Sequence, residues 1–235
     1  MGKFLHAFFS PLGLRRAVPQ VWDGFQTNIK LMVIAEILVL VFALVVAIVR
    51  GLPGRWSLPL RGLAIGYTDF FRGTPLILVA YVIALGLPSL KLAVVSSQSL
   101  FVYGIAALTL VYTAYVTEVY RAGIESVHPS QRMAARSLGL TYAQTMTHVI
   151  LPQAIRRVVP PLLNDFIGLQ KDTAIITVIG LTEAIAQAGF YSNDFFSYAG
   201  YMVAAIFFVI LTIPFARFTD HLIKTRERRE RAQLV

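Results

Sequence analysis

The sequence predicts an all-α membrane protein with five transmembrane helices and a helical loop outside the bilayer, and three observations carry that expectation. Hydrophobic residues are 57% of the 235 and charged residues only 14%, with a mean hydropathy of +0.68. A soluble domain averages about 45–50% apolar and about 25% charged. The apolar residues fall in runs approaching the ~20 residues that cross ~30 Å of hydrocarbon. Lastly, the net charge of +9 is not spread evenly: basic residues gather at the ends of those runs and in the C-terminal KTRERRER, where they set orientation and meet anionic lipid. No basic stripe interleaved with aromatics appears, which argues against a nucleic-acid partner.

The elements follow in chain order. Phe4, Leu5, Phe8, Phe9 and Leu12 form an apolar run too short to span, so residues 1–25 are expected to lie in the interface plane. Pro11 follows this run without a small-residue cleavage site, which disfavours a signal peptide. The first span covers 31–49, LMVIAEILVLVFALVVAIV, interrupted only by Glu36. The second covers about 74–92 and the third about 100–120. The fourth is expected to start at the Pro160-Pro161 pair, where proline suits a helix start, and to reach about 186. The fifth covers about 198–219. With a cytoplasmic C-terminus, the segments 50–72 and 121–157 and the C-terminal tail, with Arg217 just before it, hold fifteen basic residues, whereas the outer loops hold one, Lys91. That asymmetry fixes the orientation. Against it, Lys3, Arg15, Arg16 and Lys30 would lie outside. One membrane domain accounts for 1–235, with a basic cytoplasmic tail at 221–235 and no internal repeat.

The loop 121–159 is too long for a simple connector and carries helical signals of its own. His128-Pro129-Ser130 reads as a turn, with Ser130 as N-cap of a helix from Gln131. Met133, Leu138 and Leu140 offer apolar contacts, Ala134 and Ala135 admit a close neighbour, and Gly139 stops the helix. A second helical stretch follows, 145–151, ending at Pro152.

The stretch MAARSLGLTYAQTMTHVILP resembles the EAA loop of ABC-transporter permeases: E-A-A, three residues, G, nine residues, I, one residue, L-P. Ala134, Ala135, Gly139, Leu151 and Pro152 fall in register, with Val149 for Ile. YTDFFRGTPLILV, AYVTEVYRAGIESV and PPLLNDFIGLQKDTAIITVIG are similar to the polar and basic amino-acid uptake permeases of bacteria, so that the likeness covers most of 21–220. The resemblance implies a type I importer fold in the bacterial inner membrane. It implies coupling to a separate ABC ATPase dimer through Met133, Ala134, Ala135, Ser137, Gly139 and Leu140. It also implies a second copy of this permease or a similar one, and an external amino-acid-binding protein. Two departures stand out: Met133 replaces the Glu of the pattern, and Ser130 stands where Gly is usual. No G-x-x-x-x-G-K-[ST] is present, so ATP and Mg belong on the partner and no cofactor is expected on this chain.

Ionisable residues inside spans are functional candidates because burying them is costly. Asn164, Asp165, Thr173 and Glu183 in the fourth span and Glu36 in the first are the candidates for the substrate path. Asp165 and Asp172, seven apart, share a helix face, while Lys171 and Asp172 are expected to neutralise each other. Glu118 and Arg121 read as a structural ion pair, and Arg72 as a headgroup anchor. The chain has no cysteine, its four histidines lack metal-ligand spacing, and no serine has a hydrolase-type glycine setting. These features argue against thiol, zinc and protease chemistry. The alternative from another class is an ion-gradient carrier that uses the acidic residues as proton or sodium sites. A non-transporting membrane scaffold is the third reading.

Overall fold

The computed structural model describes residues 7–52, 54–92 and 96–232, and every element among them is helical. Phe4, Leu5 and Lys3 of the expected interfacial segment and the last three residues of the tail lie outside the described residues. We number the helices α1 Pro11–Arg50, α2 Leu58–Gly73, α3 Leu76–Ser89, α4 Leu100–Glu125, α5 Pro129–Ser137, α6 Tyr142–Thr145, α7 Leu151–Asp172, α8 Ala184–Phe195 and α9 Ala199–Ala232. A π-helical turn, Val82–Gly86, lies within α3; another, Met146–Ile150, joins α6 to α7; and a 3₁₀ stretch, Thr173–Ile179, extends α7. Three helices, α1, α4 and α9, are each long and apolar enough to cross a membrane. Two bent pairs, α2–α3 (107°) and α6–α7 with α8 (54°), bring the crossings to five if each is one span.

The first helix is longer than its apolar run. From Pro11 onward the expected in-plane segment is instead continuous with the first span. Ser10 caps it, its Oγ accepting from the Gly13 amide at 3.3 Å, and Pro11 sits where a missing N–H costs nothing. Buried Ala17, Val21, Gly24, Asn28, Leu31, Ala35, Val39 and Ala43 recur at helical spacing, one stripe passing through polar and apolar sequence alike. The lower stripe packs on Leu108, Val111 and Leu169; the upper packs on Ala184, Ala188, Tyr191 and Val203. The N-terminal end is tied down further. The Tyr198 amide and the Ser197 hydroxyl donate to the Ala7 carbonyl (3.0 and 3.3 Å), and Phe8 stacks on Tyr198 at 5.0 Å.

The fourth span also departs from expectation. Its helix starts at Leu151, and Pro160 and Pro161 lie inside it. Burial of Ala154, Val158 and Leu169 along α7 holds the helix together through the two missing amide donors. The break comes after residue 179, at Gly180 (φ +90°), and α8 then carries the helix through the stretch expected to be an outer loop.

Candidate functional site

The loop module 126–150 builds a small helix standing on its own scaffold. At its start, the cap is His128 rather than Ser130, and the helix begins at Pro129. His128 Nδ1 accepts from the Ser130 amide at 3.2 Å and lies 2.7 Å from Ser130 Oγ. At its end, the Gly139 amide donates to the Arg136 carbonyl (3.0 Å) and the Leu140 amide to the Ala135 carbonyl (3.1 Å), with Gly139 at φ +80°. This paired closure needs a left-handed residue at that position, which a side chain would strain. A capping box between Thr141 and Gln144 starts α6 at once. Beneath the module, Val127, Ile150 and Ala154 form a buried cluster, and Arg157 donates to the Ser126 carbonyl.

The predicted coupling residues divide between two faces. Ala135 is 4% exposed and turned inward, so its small size lets α5 sit on its own chain rather than on a partner. Met133 (62%), Ala134 and Ser137 are exposed, as are Leu138 (82%) and Tyr142 (66%). Ser137 Oγ donates to the Met133 carbonyl at 3.1 Å. Leu140 is half-buried behind Gly139. Tyr142 had no signal in the sequence beyond following a capping threonine.

Above the module, a cleft of 460 Å³ opens between α4 and α7, lined among others by Glu118, Ala122, Ser126, Arg157 and Pro161. The expected Glu118–Arg121 pair is present at 2.7 Å and belongs to a larger group. Arg50 from the end of α1 also donates to Glu118, Arg72 from the end of α2 lies 3.8 Å away, and Arg50 donates to Thr68 at 2.9 Å. Glu118 therefore ties together the ends of three helices.

The five substrate-path candidates do not form one site. Thr173 and Glu183 are fully buried in a polar knot with Asn28 of α1. The Asn28 side-chain nitrogen donates to Thr173 Oγ1 (3.2 Å) and Glu183 Oε2 (3.0 Å), while its Oδ1 accepts from the Ala184 amide (3.0 Å). Glu183 Oε1 accepts from the Ile185 and Ala186 amides, both at 2.9 Å. The carboxylate is thus a helix cap at the positive end of α8. Glu36 and Asp165 are each half-buried, and the charge of Asp165 acts on Glu36. Asp165 Oδ2 is buried without a hydrogen-bond partner. Among the described residues neither has a basic side chain within 4.0 Å. Asp165 lies mid-helix and caps nothing, and Arg157 is engaged elsewhere. Asn164 is exposed, and Asp172 takes a hydrogen bond from Tyr112 Oη at 2.9 Å in addition to the nearby charge of Lys171. Sequence reasoning passed over Asn28 and Tyr112; a lone amide in QTNIK and a tyrosine in an apolar span carry little signal by themselves.

Comparison with known proteins places this geometry. Residues 45–228 match the family described as the binding-protein-dependent transport system inner membrane component. A probable glutamine ABC transporter permease protein, GlnM, of Bacillus subtilis (strain 168) is 37% identical over 207 residues, 88% of this chain and 93% of that protein. The arginine transport system permease protein ArtQ of the same organism is 33% identical, over 83% of this chain and 88% of its own. Among solved structures, an amino acid ABC transporter crystallised with histidines superposes with a TM-score of 0.83 at 32% identity, covering 92% of this chain and 97% of that one. The inward-facing MetNI methionine ABC transporter, at 18% identity and a TM-score of 0.70, shares the fold, over 87% of this chain and 95% of that one. The chain belongs to the family of inner-membrane components of binding-protein-dependent transport systems.

Proposed function

We propose that this chain is the membrane-spanning subunit of an ATP-driven amino-acid importer, forming half of the translocation path and receiving the ATPase stroke through α5. The carrying observation is the loop module: a helix closed at both ends presents Met133, Ala134 and Leu138 outward while Ala135 and Val127 anchor it inward. An exposed apolar face so rigidly mounted suits a groove in another protein. An ABC ATPase dimer is the partner, carrying the ATP and Mg. A second copy of this permease or a similar one completes the path, and an external binding protein delivers the solute. Nucleotide drives the alternation by favouring one opening over the other. The C-terminus is cytoplasmic and the chain lies in the inner membrane. The ion-gradient carrier has no support in the relatives or in the fold.

For the solute, Glu36 and Asp165 place two carboxyl groups inside the bundle with no basic side chain within 4.0 Å among the described residues. A cation ~4 Å from one such carboxylate gains about 4 kcal/mol at an effective dielectric of about 20, and an anion loses as much. A basic or neutral polar amino acid is favoured over glutamate or aspartate. Uptake by the reconstituted complex carrying Asp165→Asn tests this. Loss of arginine, lysine or histidine transport with ATPase activity intact supports the reading; unchanged rates and selectivity overturn it.

A further inference from the structure

We infer that the cleft between α4 and α7 is an inner station on the solute path, holding an α-amino acid by its two backbone charges. Arg157 takes the carboxylate, and carbonyl oxygens that Pro160 and Pro161 leave without amides take the ammonium. This rests on the proposed transport role of the chain. The cleft has a volume of 460 Å³, in the range of small-molecule sites, and much of its wall is apolar: Val119, Ala122 and Gly123 from α4, and Pro161 from α7. Two charged residues line it. Glu118 is committed to Arg50 and Arg121. Arg157 is half-buried, and among the described residues no carboxylate lies within 4.0 Å of it. One of its nitrogens donates to the Ser126 carbonyl, which leaves the rest of a five-donor guanidinium for an anion. A carboxylate is the planar, two-oxygen acceptor that fits such a fork.

The prolines supply the partner for the opposite charge. In a regular helix the amides of residues 160 and 161 would donate to the carbonyls of Arg156 and Arg157. Both positions are proline inside α7 and bring no amide hydrogen. The Arg157 carbonyl runs along the helix toward Pro161, and both residues line the cleft. An ammonium can take the place of the missing donors there, as cations do at interrupted helices in transporters. The cleft also continues the candidate solute contact above it. Residues 157, 161 and 165 recur at every fourth position, so Asp165 lies on the same side of α7, about 12 Å of helix from Arg157. Asn164, three residues beyond Pro161, is exposed. An amide facing hydrocarbon is costly, so this side of α7 is not turned to lipid. The upper position selects by side-chain charge; the lower one reads only the groups that all α-amino acids share.

The test uses the complete complex carrying one reporter thiol. This chain has no cysteine, and Ala122 is exposed on the cleft wall, so Ala122→Cys gives it a single thiol there. A water-soluble maleimide should label that thiol. Arginine and glutamine should both slow the labelling, about tenfold once each stands at about ten times its dissociation constant. Agmatine, which is arginine without its carboxylate, should not protect, and neither should acetylarginine, which lacks the ammonium. Adding Arg157→Gln should abolish the protection, whereas Arg157→Lys should keep part of it. The inference is overturned if the thiol reacts only with a lipid-soluble maleimide, or with neither reagent. It is equally overturned if agmatine protects as well as arginine, or if Arg157→Gln leaves the protection intact. Should Arg157→Gln fail to assemble, the comparison of arginine with agmatine decides alone. Uptake by the natural complex is read alongside. ATP-driven uptake without protection overturns the station alone, whereas protection without ATP-driven uptake overturns the transport reading and leaves an amino-acid site.

Discussion

A methyl group on Gly24 would sit 2.6 Å from the carbonyl carbon and oxygen of Glu183, and backbone atoms cannot swing aside as a side-chain tip can. The crossing of α1 over the break before α8 therefore requires glycine. Gly24→Ala is expected to cost about 2 kcal/mol, in the range of an overpacked core, and to lower the melting temperature of the detergent-solubilised protein. A variant melting with the natural chain would contradict the close approach. Four residues along, Asn28→Ala would strip partners from Glu183, Thr173 and the Ala184 amide at once. A cost of about 1–3 kcal/mol is expected for each polar group left unmatched, read as the same melting shift with the loop module unaffected. The knot also marks a limit of sequence reading. Glu183 was visible as a carboxylate in a span and so a candidate for solute contact, but nothing in the sequence placed Asn28 opposite it. The pairing spans 155 residues, and it turns a candidate ligand into a helix cap.

At the scale of elements, the loop module was the most legible part, because its signals are local: a turn before Pro129, small residues mid-helix, glycine at the stop. The cap was misplaced by two residues, since histidine is an uncommon acceptor there. Which alanine faces outward depends on how α5 packs on α6 and on the π-turn Met146–Ile150, and could not be read from spacing. Leu138→Asp is therefore a sharper probe of docking than Ala135→Glu, which would bury a charge inside the module. Leu138 is 82% exposed, so the substitution should leave folding within about 0.5 kcal/mol while reducing transport per ATP severalfold. Normal transport by Leu138→Asp would remove α5 from the coupling interface. The long helices were less legible. Arg15, Arg16, Pro19 and Asp23 hid the upper half of α1, whose small-residue stripe faces α8 and α9 rather than an apolar run. The pair Pro160-Pro161 looked like a start because propensity is local, whereas α7 is held by its buried face against α4.

Across the whole molecule, five crossings would put the two ends of the chain on opposite sides, and the excess of basic residues predicts a cytoplasmic C-terminal side. The tethering of Ala7 to Ser197 and Tyr198 puts the N-terminal end beside the α8–α9 turn, so in this topology Arg15 and Arg16 share the expected outer side with Asn193. A cysteine at Asn193 should label from outside intact cells, and one at Lys224 only after permeabilisation. Labelling of both from one side would break the five-crossing topology. Hydropathy marked α1, α4 and α9 as crossings; the bends of 107° after Gly73 and 54° around Gly180 were not legible in it. The proposal that binds these scales together is transport driven by a separate ATPase, and uptake by the purified complex in proteoliposomes tests it most directly. Amino-acid accumulation should require both the binding protein and ATP on the ATPase side, and should persist when proton and sodium gradients are collapsed. Accumulation that follows an ion gradient and ignores ATP would contradict it.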